Sequence, residues 1–217
     1  MNIGPYSIED YMHLVRSFHG SIAPGLIIGG FMADLAMEDL SKGIVFDAVS
    51  ETRSCLPDAI QLLTPCTVGN GRLKVLDLGR YALCLFDKYE GAGVRVFVDP
   101  VKIEEWPVIR DWFFKLRPGK EQDPNALRDQ IIDAGPEILS RRQVVVERTF
   151  LGTQGMGVIA KCPACNEAYP VKDGPSCLAC QGHGPYQITL QGQGSRTNLK
   201  TVHGGGFSRD GGPCGAG

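Results

Sequence analysis

Ile8, Tyr11, Met12, Val15 and Phe18 recur at three- and four-residue spacing, which predicts one apolar stripe of a helix. Ser7 stands where an N-cap belongs, Asp10 follows three residues later as its returning partner, and Gly20 marks the stop. Pro24 suits the first turn of a second helix running to about Leu40, with Leu26, Ile27, Met32, Leu35, Ala36 and Leu40 on its buried side. Gly29 and Gly30 lack bulk within it, which lets another backbone come close. Lys42-Gly43 ends this helix, and Ile44–Val49 reads as a strand. Pro57 and Asp58 open a short helix over Ala59–Leu63, and Thr67–Gly71 is a turn-rich loop. Three apolar-rich segments, Leu73–Leu78, Tyr81–Phe86 and Val94–Val98, predict an antiparallel meander. Residues 101–142 read as helices broken by Pro107, Pro118, Pro124 and Pro136, and Gln143–Val146 as one more strand. The expected fold is therefore α+β, with helices packed on an antiparallel sheet.

Near Leu151-Gly-Thr-Gln-Gly155 the composition changes. A core domain over 1–150 gives way to a cysteine-rich module over 156–190, then to a Gly-rich tail over 191–217 expected to be flexible because it has almost nothing to bury. The 217-residue chain is 43% hydrophobic and 21% charged, with a net charge of −2, which fits a globular protein and excludes one that is basic overall and built to coat nucleic acid. No apolar run approaches the roughly 20 residues of a membrane span. The N-terminus, Met-Asn-Ile-Gly-Pro-Tyr-Ser, has neither the basic nor the apolar part of a secretory signal, so a cytoplasmic location is expected, with no membrane partner.

Of the eight cysteines, four form two Cys-x-x-Cys pairs, Cys162/Cys165 and Cys177/Cys180, separated by eleven residues. Two such turns aim four thiolates at one ion and close its coordination shell, the pattern of structural zinc. Rubredoxin-like iron uses the same ligands, and free thiols or a redox pair are the non-metal alternatives. His183 lies close enough in sequence to replace one cysteine. A module this small lacks an adequate apolar core, so metal binding would carry its folding. Lys161 and Lys172 are opposed by Glu167 and Asp173, which speaks against nucleic acid and for a stabilising or protein-docking module.

Chemistry also clusters early in the chain. Phe18-His19-Gly20-Ser21-Ile22-Ala23-Pro24-Gly25-Leu26 is followed by Glu51, by Cys55-Leu-Pro-Asp58-Ala-Ile-Gln61, by Thr64-Pro-Cys66-Thr67-Val-Gly69-Asn-Gly71, and by Asp77-Leu-Gly79-Arg80. Together these blocks resemble the FmdE family of formylmethanofuran dehydrogenase proteins. Its pattern runs Phe-His-Gly-His-x-Cys-Pro-Gly-Leu, a Glu, Cys-x-x-Asp-Ala-Ile-Gln, Thr-Gly-Cys-Thr-x-Gly-x-Gly and Asp-x-Gly-Lys, often with a C-terminal four-cysteine finger. The resemblance spans residues 8–100 and 160–190. It implies an α+β core, a treble-clef or zinc-ribbon module, a homodimer, a metal-binding cleft, and a molybdenum or tungsten enzyme as partner. Ser21 stands in place of the family's second histidine, Ala23 in place of a cysteine, and Arg80 in place of the lysine.

His19, Cys55 and Cys66 are therefore candidate ligands of a second transition metal in the core, where three ligands plus water make an open site. Read without a metal, His19 caps a helix C-terminus and the two cysteines are small buried hydrophobes. Glu51 is a candidate general base or partner to His19, Asp58 a helix cap or catalytic group, and Cys84 a core thiol. Gly69-Asn-Gly71 reads as a turn or as an anion cradle. His203 and Cys214 in the tail are candidates to supply the absent ligands. The function expected is a metal-binding accessory protein linked to one-carbon or molybdenum/tungsten enzyme metabolism. The alternatives are an enzyme with an open metal site and a degenerate scaffold that binds a partner.

Overall fold

A computed structural model describes residues 1–152 and 155–186, which fall into two units. The tail expected over 191–217, with His203 and Cys214, lies outside the described residues.

The first unit opens with a two-stranded hairpin, β1 (Asn2–Ile3) and β2 (Tyr6–Ser7), turning through Gly4. Helix α1 (Ile8–His19) follows. The predicted cap is present: Ser7 Oγ accepts from the Asp10 amide at 3.1 Å and donates to Asp10 Oδ2 at 2.7 Å, and Gly20 closes the helix in the left-handed region. Tyr11 and Val15 are buried as the stripe predicts, but Phe18 is exposed.

Helix α2 (Pro24–Glu38) starts at the predicted proline and buries more than one side. Ten of its fifteen residues are buried, including Ile28, Phe31 and Ala33, so it is apolar nearly all round and runs through the core. Strand β3 (Phe46–Ser50), helix α3 (Leu56–Leu63) and strand β4 (Leu73–Val75) come next. They are followed by β5 (Ala82–Asp87) and β6 (Ala92–Val98), then α4 (Pro107–Phe113) and α5 (Pro124–Ala134), and finally β7 (Leu139–Val145).

The five long strands form one sheet in the order β4-β3-β5-β6-β7. The predicted meander is corrected at one place, because β4 pairs parallel to β3, with Ala48 opposite Leu73 and Ser50 opposite Val75. The segment between them is long enough to hold α3, and a crossover through a helix returns the chain in the same direction. The other pairings are antiparallel, so the sheet is mixed. The second correction is at β7, which begins at Leu139 rather than Gln143. Its Ser140-Arg-Arg-Gln stretch is an edge strand with little to bury, so no apolar alternation announces it.

Alternation along the strands sorts the side chains onto two faces. Ala48, Leu83, Leu85, Val94, Val96 and Val98 meet the helices in the main core. Val49, Cys84 and Phe86 lie on the other face, in a small cluster with Leu76, Val144, Val146 and Leu151. Lys74 Nζ donates to the carbonyls of Phe150 and Gly152, tying the end of this unit to β4.

The second unit is a small module with one hairpin, β8 (Ile159–Lys161) and β9 (Ala168–Pro170). No single helix among the described residues is long and apolar enough to cross a membrane.

The glycines of α2 set how closely it approaches its neighbours. A Cβ on Gly29 would stand 2.8 Å from Ala59 Cβ and 3.2 Å from Leu56 Cδ1, both on α3. Ala59 Cβ is fixed to its backbone, so relief requires the helices to part. Gly29→Ala gains about 1 kcal/mol of helix propensity. It forces overpacking that costs typically about 1–3 kcal/mol. The expected outcome is net destabilisation in urea unfolding; a rise in stability would contradict so close a contact.

Candidate functional site

In the second unit, the knuckle at Cys162-Pro-Ala-Cys165 is held by backbone bonds from the Cys162 amide to the Glu167 carbonyl (2.8 Å) and from the Asn166 amide to the Cys162 carbonyl (2.9 Å). Asn166 takes a positive φ of 65°, which turns the chain back beneath the sulfurs. The Cys177 amide points at Cys162 Sγ at 3.4 Å, and Cys165 Sγ lies 3.7 Å from Cys177 Sγ. All four sulfurs lie within 4.8 Å of one another. A tetrahedron with bonds of about 2.3 Å has sulfur–sulfur edges of about 3.8 Å, so the donor set fits zinc. Amide donation from Cys177 and Cys165 brings the Cys162 thiol down to about 6, whereas Cys180 is pushed up to about 12 by its crowded neighbours, Cys177 first. Four sulfurs this close cannot all ionise unless a cation offsets their repulsion. His183 is not part of the converging group.

The candidates in the first unit fall into separate settings. His19, at the end of α1, places Nδ1 2.7 Å from Asp58 Oδ2. Asp58 is not the cap of α3: Cys55 holds that position, with φ of 46°, while Asp58 sits in the first turn and also takes a bond from Gln61 Nε2 at 3.4 Å. Cys55 is buried and engaged in a disulfide. Cys66 is fully buried, and its thiol donates to the Phe46 carbonyl at 3.3 Å. Burial raises the Cys66 pKa, outweighing the opposing pull of the Thr64 hydroxyl and the Arg72 guanidinium.

The structure thus corrects the expected core ligand set, since His19, Cys55 and Cys66 do not converge. Among the described residues, Cys162, Cys165, Cys177 and Cys180 are the group that does. The physical reason is that one sulfur is taken covalently and another is satisfied by a carbonyl.

The Pro24-Gly25 pair has a packing role instead. A Cβ on Gly25 would stand 2.7 Å from the Tyr81 hydroxyl and 3.2 Å from Cys55 Cβ. The Tyr81 hydroxyl donates to the Gly25 carbonyl at 2.6 Å, and that of Tyr11 to the Leu26 carbonyl at 3.0 Å. The Gly69-Asn-Gly71 loop is a plain turn. Asn70 Oδ1 accepts from the amides of Thr67 and Arg72, which occupies the donors an anion would need.

Glu51 is no base for His19. Arg95 clasps it with two bonds, Nε–Oε1 at 2.6 Å and Nη2–Oε2 at 2.8 Å, and Arg80 Nε reaches Oε2 at 2.7 Å. Burial alone would raise its pKa, but the two guanidiniums prevail and hold it below the ordinary carboxylate value. Neither arginine has a partner legible in the sequence, although the Val94-Arg95-Val96 alternation puts Arg95 on the face opposite two core valines. Cys84 is buried on the same face, and burial together with the Glu51 charge pushes its thiol up to about 12. It is inert, as a core thiol should be.

A family model described as FmdE, molybdenum formylmethanofuran dehydrogenase operon, matches residues 18–146. A second, described as the FmdE treble clef zinc finger, matches residues 153–187. The four cysteines accordingly form a structural zinc site. A solved structure of an FmdE-like protein of tungsten formylmethanofuran dehydrogenase, from Syntrophus aciditrophicus, is 52% identical, with a TM-score of 0.80, covering 86% of this chain and 98% of that one. A protein from Archaeoglobus fulgidus, described as a probable S-adenosyl-L-methionine-binding protein, is 31% identical over 188 residues, which are 77% of this chain and 51% of that protein. The chain therefore spans about half the length of this curated relative.

The Glu51 cluster yields a pH test. A carboxylate with a lowered folded pKa contributes stability above its unfolded value and loses it as pH falls. Removing one partner of a buried ion pair costs about 3–5 kcal/mol, and partial exposure of Arg95 puts this pair at the lower end. Glu51→Gln should therefore lower unfolding stability at neutral pH by about 3 kcal/mol. The gap from the unmutated protein should narrow as pH falls below about 4.3. A gap independent of pH would contradict the ionised pair.

Proposed function

This chain belongs to the FmdE family, and from that premise we propose that it is a metal-binding accessory protein of a molybdenum- or tungsten-dependent enzyme of one-carbon metabolism. The observation that carries this reading is the closed four-sulfur site, the convergent ligand group among the described residues. A closed shell offers no position for substrate, so its zinc organises a lobe rather than performing a reaction. The family description names the molybdenum formylmethanofuran dehydrogenase operon, and the similar solved protein is described as like a component of a tungsten enzyme. We place the protein in the cytoplasm as a homodimer that docks on such an enzyme.

A second reading, an enzyme with a site of its own, draws on the His19–Asp58 pair. A carboxylate on Nδ1 orients an imidazole and leaves Nε2 for a metal or a proton, and the His19 side chain is 25% exposed. The name of the Archaeoglobus relative points this reading toward S-adenosylmethionine.

The test is metal analysis of tagged full-length protein purified from its native host, with sedimentation and calorimetry on the same material. The accessory reading expects one zinc per chain, lost in Cys177→Ser and unchanged in His19→Ala. It expects a two-chain mass, and molybdenum or tungsten only where an oxidoreductase copurifies. A second metal that disappears in His19→Ala, or saturable S-adenosylmethionine binding weakened by that variant, would overturn it in favour of an enzyme.

A further inference from the structure

The sheet face turned away from the helices gathers positive charge that neither the zinc module nor the helical core uses. Arg95 on β6 and Arg142 on β7 are direct cross-strand partners. Their guanidinium carbons each lie 5.1 Å from the centroid of the same ring, Phe97. Arg80 joins them through Glu51. Like charges directly opposite each other on neighbouring strands are destabilising. Here the opposition is only partly relieved, because Glu51 brings a single negative charge against three guanidiniums and commits both oxygens to Arg95 and Arg80. Arg142 makes no ion pair with any of the described residues, and it is exposed.

The parts have distinct roles. Stacking on Phe97 restrains Arg142, and a guanidinium held flat on a ring keeps its planar edge of N–H donors available. Arg95 is held by Glu51 and is 19% exposed, so it supplies fixed charge more than donors. Arg80 is 59% exposed beyond the one bond its Nε makes. Glu51 with Arg80, Arg95 and Arg142 leaves a surplus of two positive charges, by one subtracted from three. A phosphate monoester carries about −1.5 to −2 at neutral pH and offers three acceptor oxygens suited to the fork of an arginine.

We propose that this face is a binding site for the phosphate group of a small-molecule ligand, with Arg142 and Arg80 as its contacts and Arg95, pinned by Glu51, as the positioning residue. The site would relieve the Arg95–Arg142 opposition, which otherwise has no compensation among the described residues. It uses none of the zinc ligands and does not depend on the accessory role.

The experiment titrates inorganic phosphate into the full-length zinc-bound protein at constant ionic strength, by calorimetry and by NMR of the arginine Nε–Hε groups. Saturable binding is expected, with shifts at Arg80, Arg95 and Arg142. Arg142→Gln should weaken it roughly tenfold or more, the loss of charge-assisted bonds. Arg142 is exposed on an edge strand, and an unchanged thermal melt would certify the fold of this variant. Arg128→Gln, on an exposed arginine of α5 paired with Asp129, should leave phosphate binding unchanged. Three results would overturn the proposal: no saturation, equal weakening by Arg128→Gln, or displacement of phosphate by an equal concentration of acetate.

Discussion

The burial of α2 is the constraint on which the first unit depends. A helix apolar on nearly every side is unstable in water by itself and must be enclosed. The sheet lies on one side of it, α3 approaches through Gly29, and α5 covers another flank. Each fully buried aliphatic side chain contributes roughly 1.5–3 kcal/mol, and Leu26, Ile27, Ile28 and Met32 all qualify. Tyr11 and Tyr81 then satisfy the carbonyls of Leu26 and Gly25 at the start of this helix, where apolar packing alone would leave them unpaired. The position of Cys55, packed against Gly25, is a consequence of the same close approach.

The second unit solves the opposite problem. Its described residues include few buried apolar side chains, Tyr169 being one, so hydrophobic burial cannot hold it. Its order comes from backbone bonds that turn the chain under the sulfurs and from the ion those sulfurs surround. The stabilisation that α2 draws from a large interior, this module draws from metal–sulfur bonds. That difference explains why a closed site belongs here and why its chemistry is architectural.

The sheet mediates between structure and charge. One face is committed to the core, and the other is apolar at one end, around Phe86 and Leu151, and ionic at the other, around Glu51. A buried carboxylate held by two arginines is tolerated because each of its oxygens has a donor. Asp47, on the same strand, is less well served: Arg72 reaches Oδ1 at 3.3 Å, while Oδ2 is buried without a partner among the described residues.

Local signals determined much of this protein in advance. The Ser7 cap, the Pro24 start, the Gly20 stop and the two Cys-x-x-Cys turns are short-range chemistry, complete within a few residues, and the structure contains each of them. The mixed sheet, the edge strand beginning at Leu139 and the partners of Glu51 were decided by tertiary structure, because parallel pairing and charge pairing join residues far apart in the chain. Arg95 and Glu51 are separated by 44 positions, and no periodicity encodes their meeting. The same limit governed the candidate core ligands. His19, Cys55 and Cys66 have the residue types that bind metal, but coordination requires atoms to converge in space, and packing directed each of them to a different neighbour.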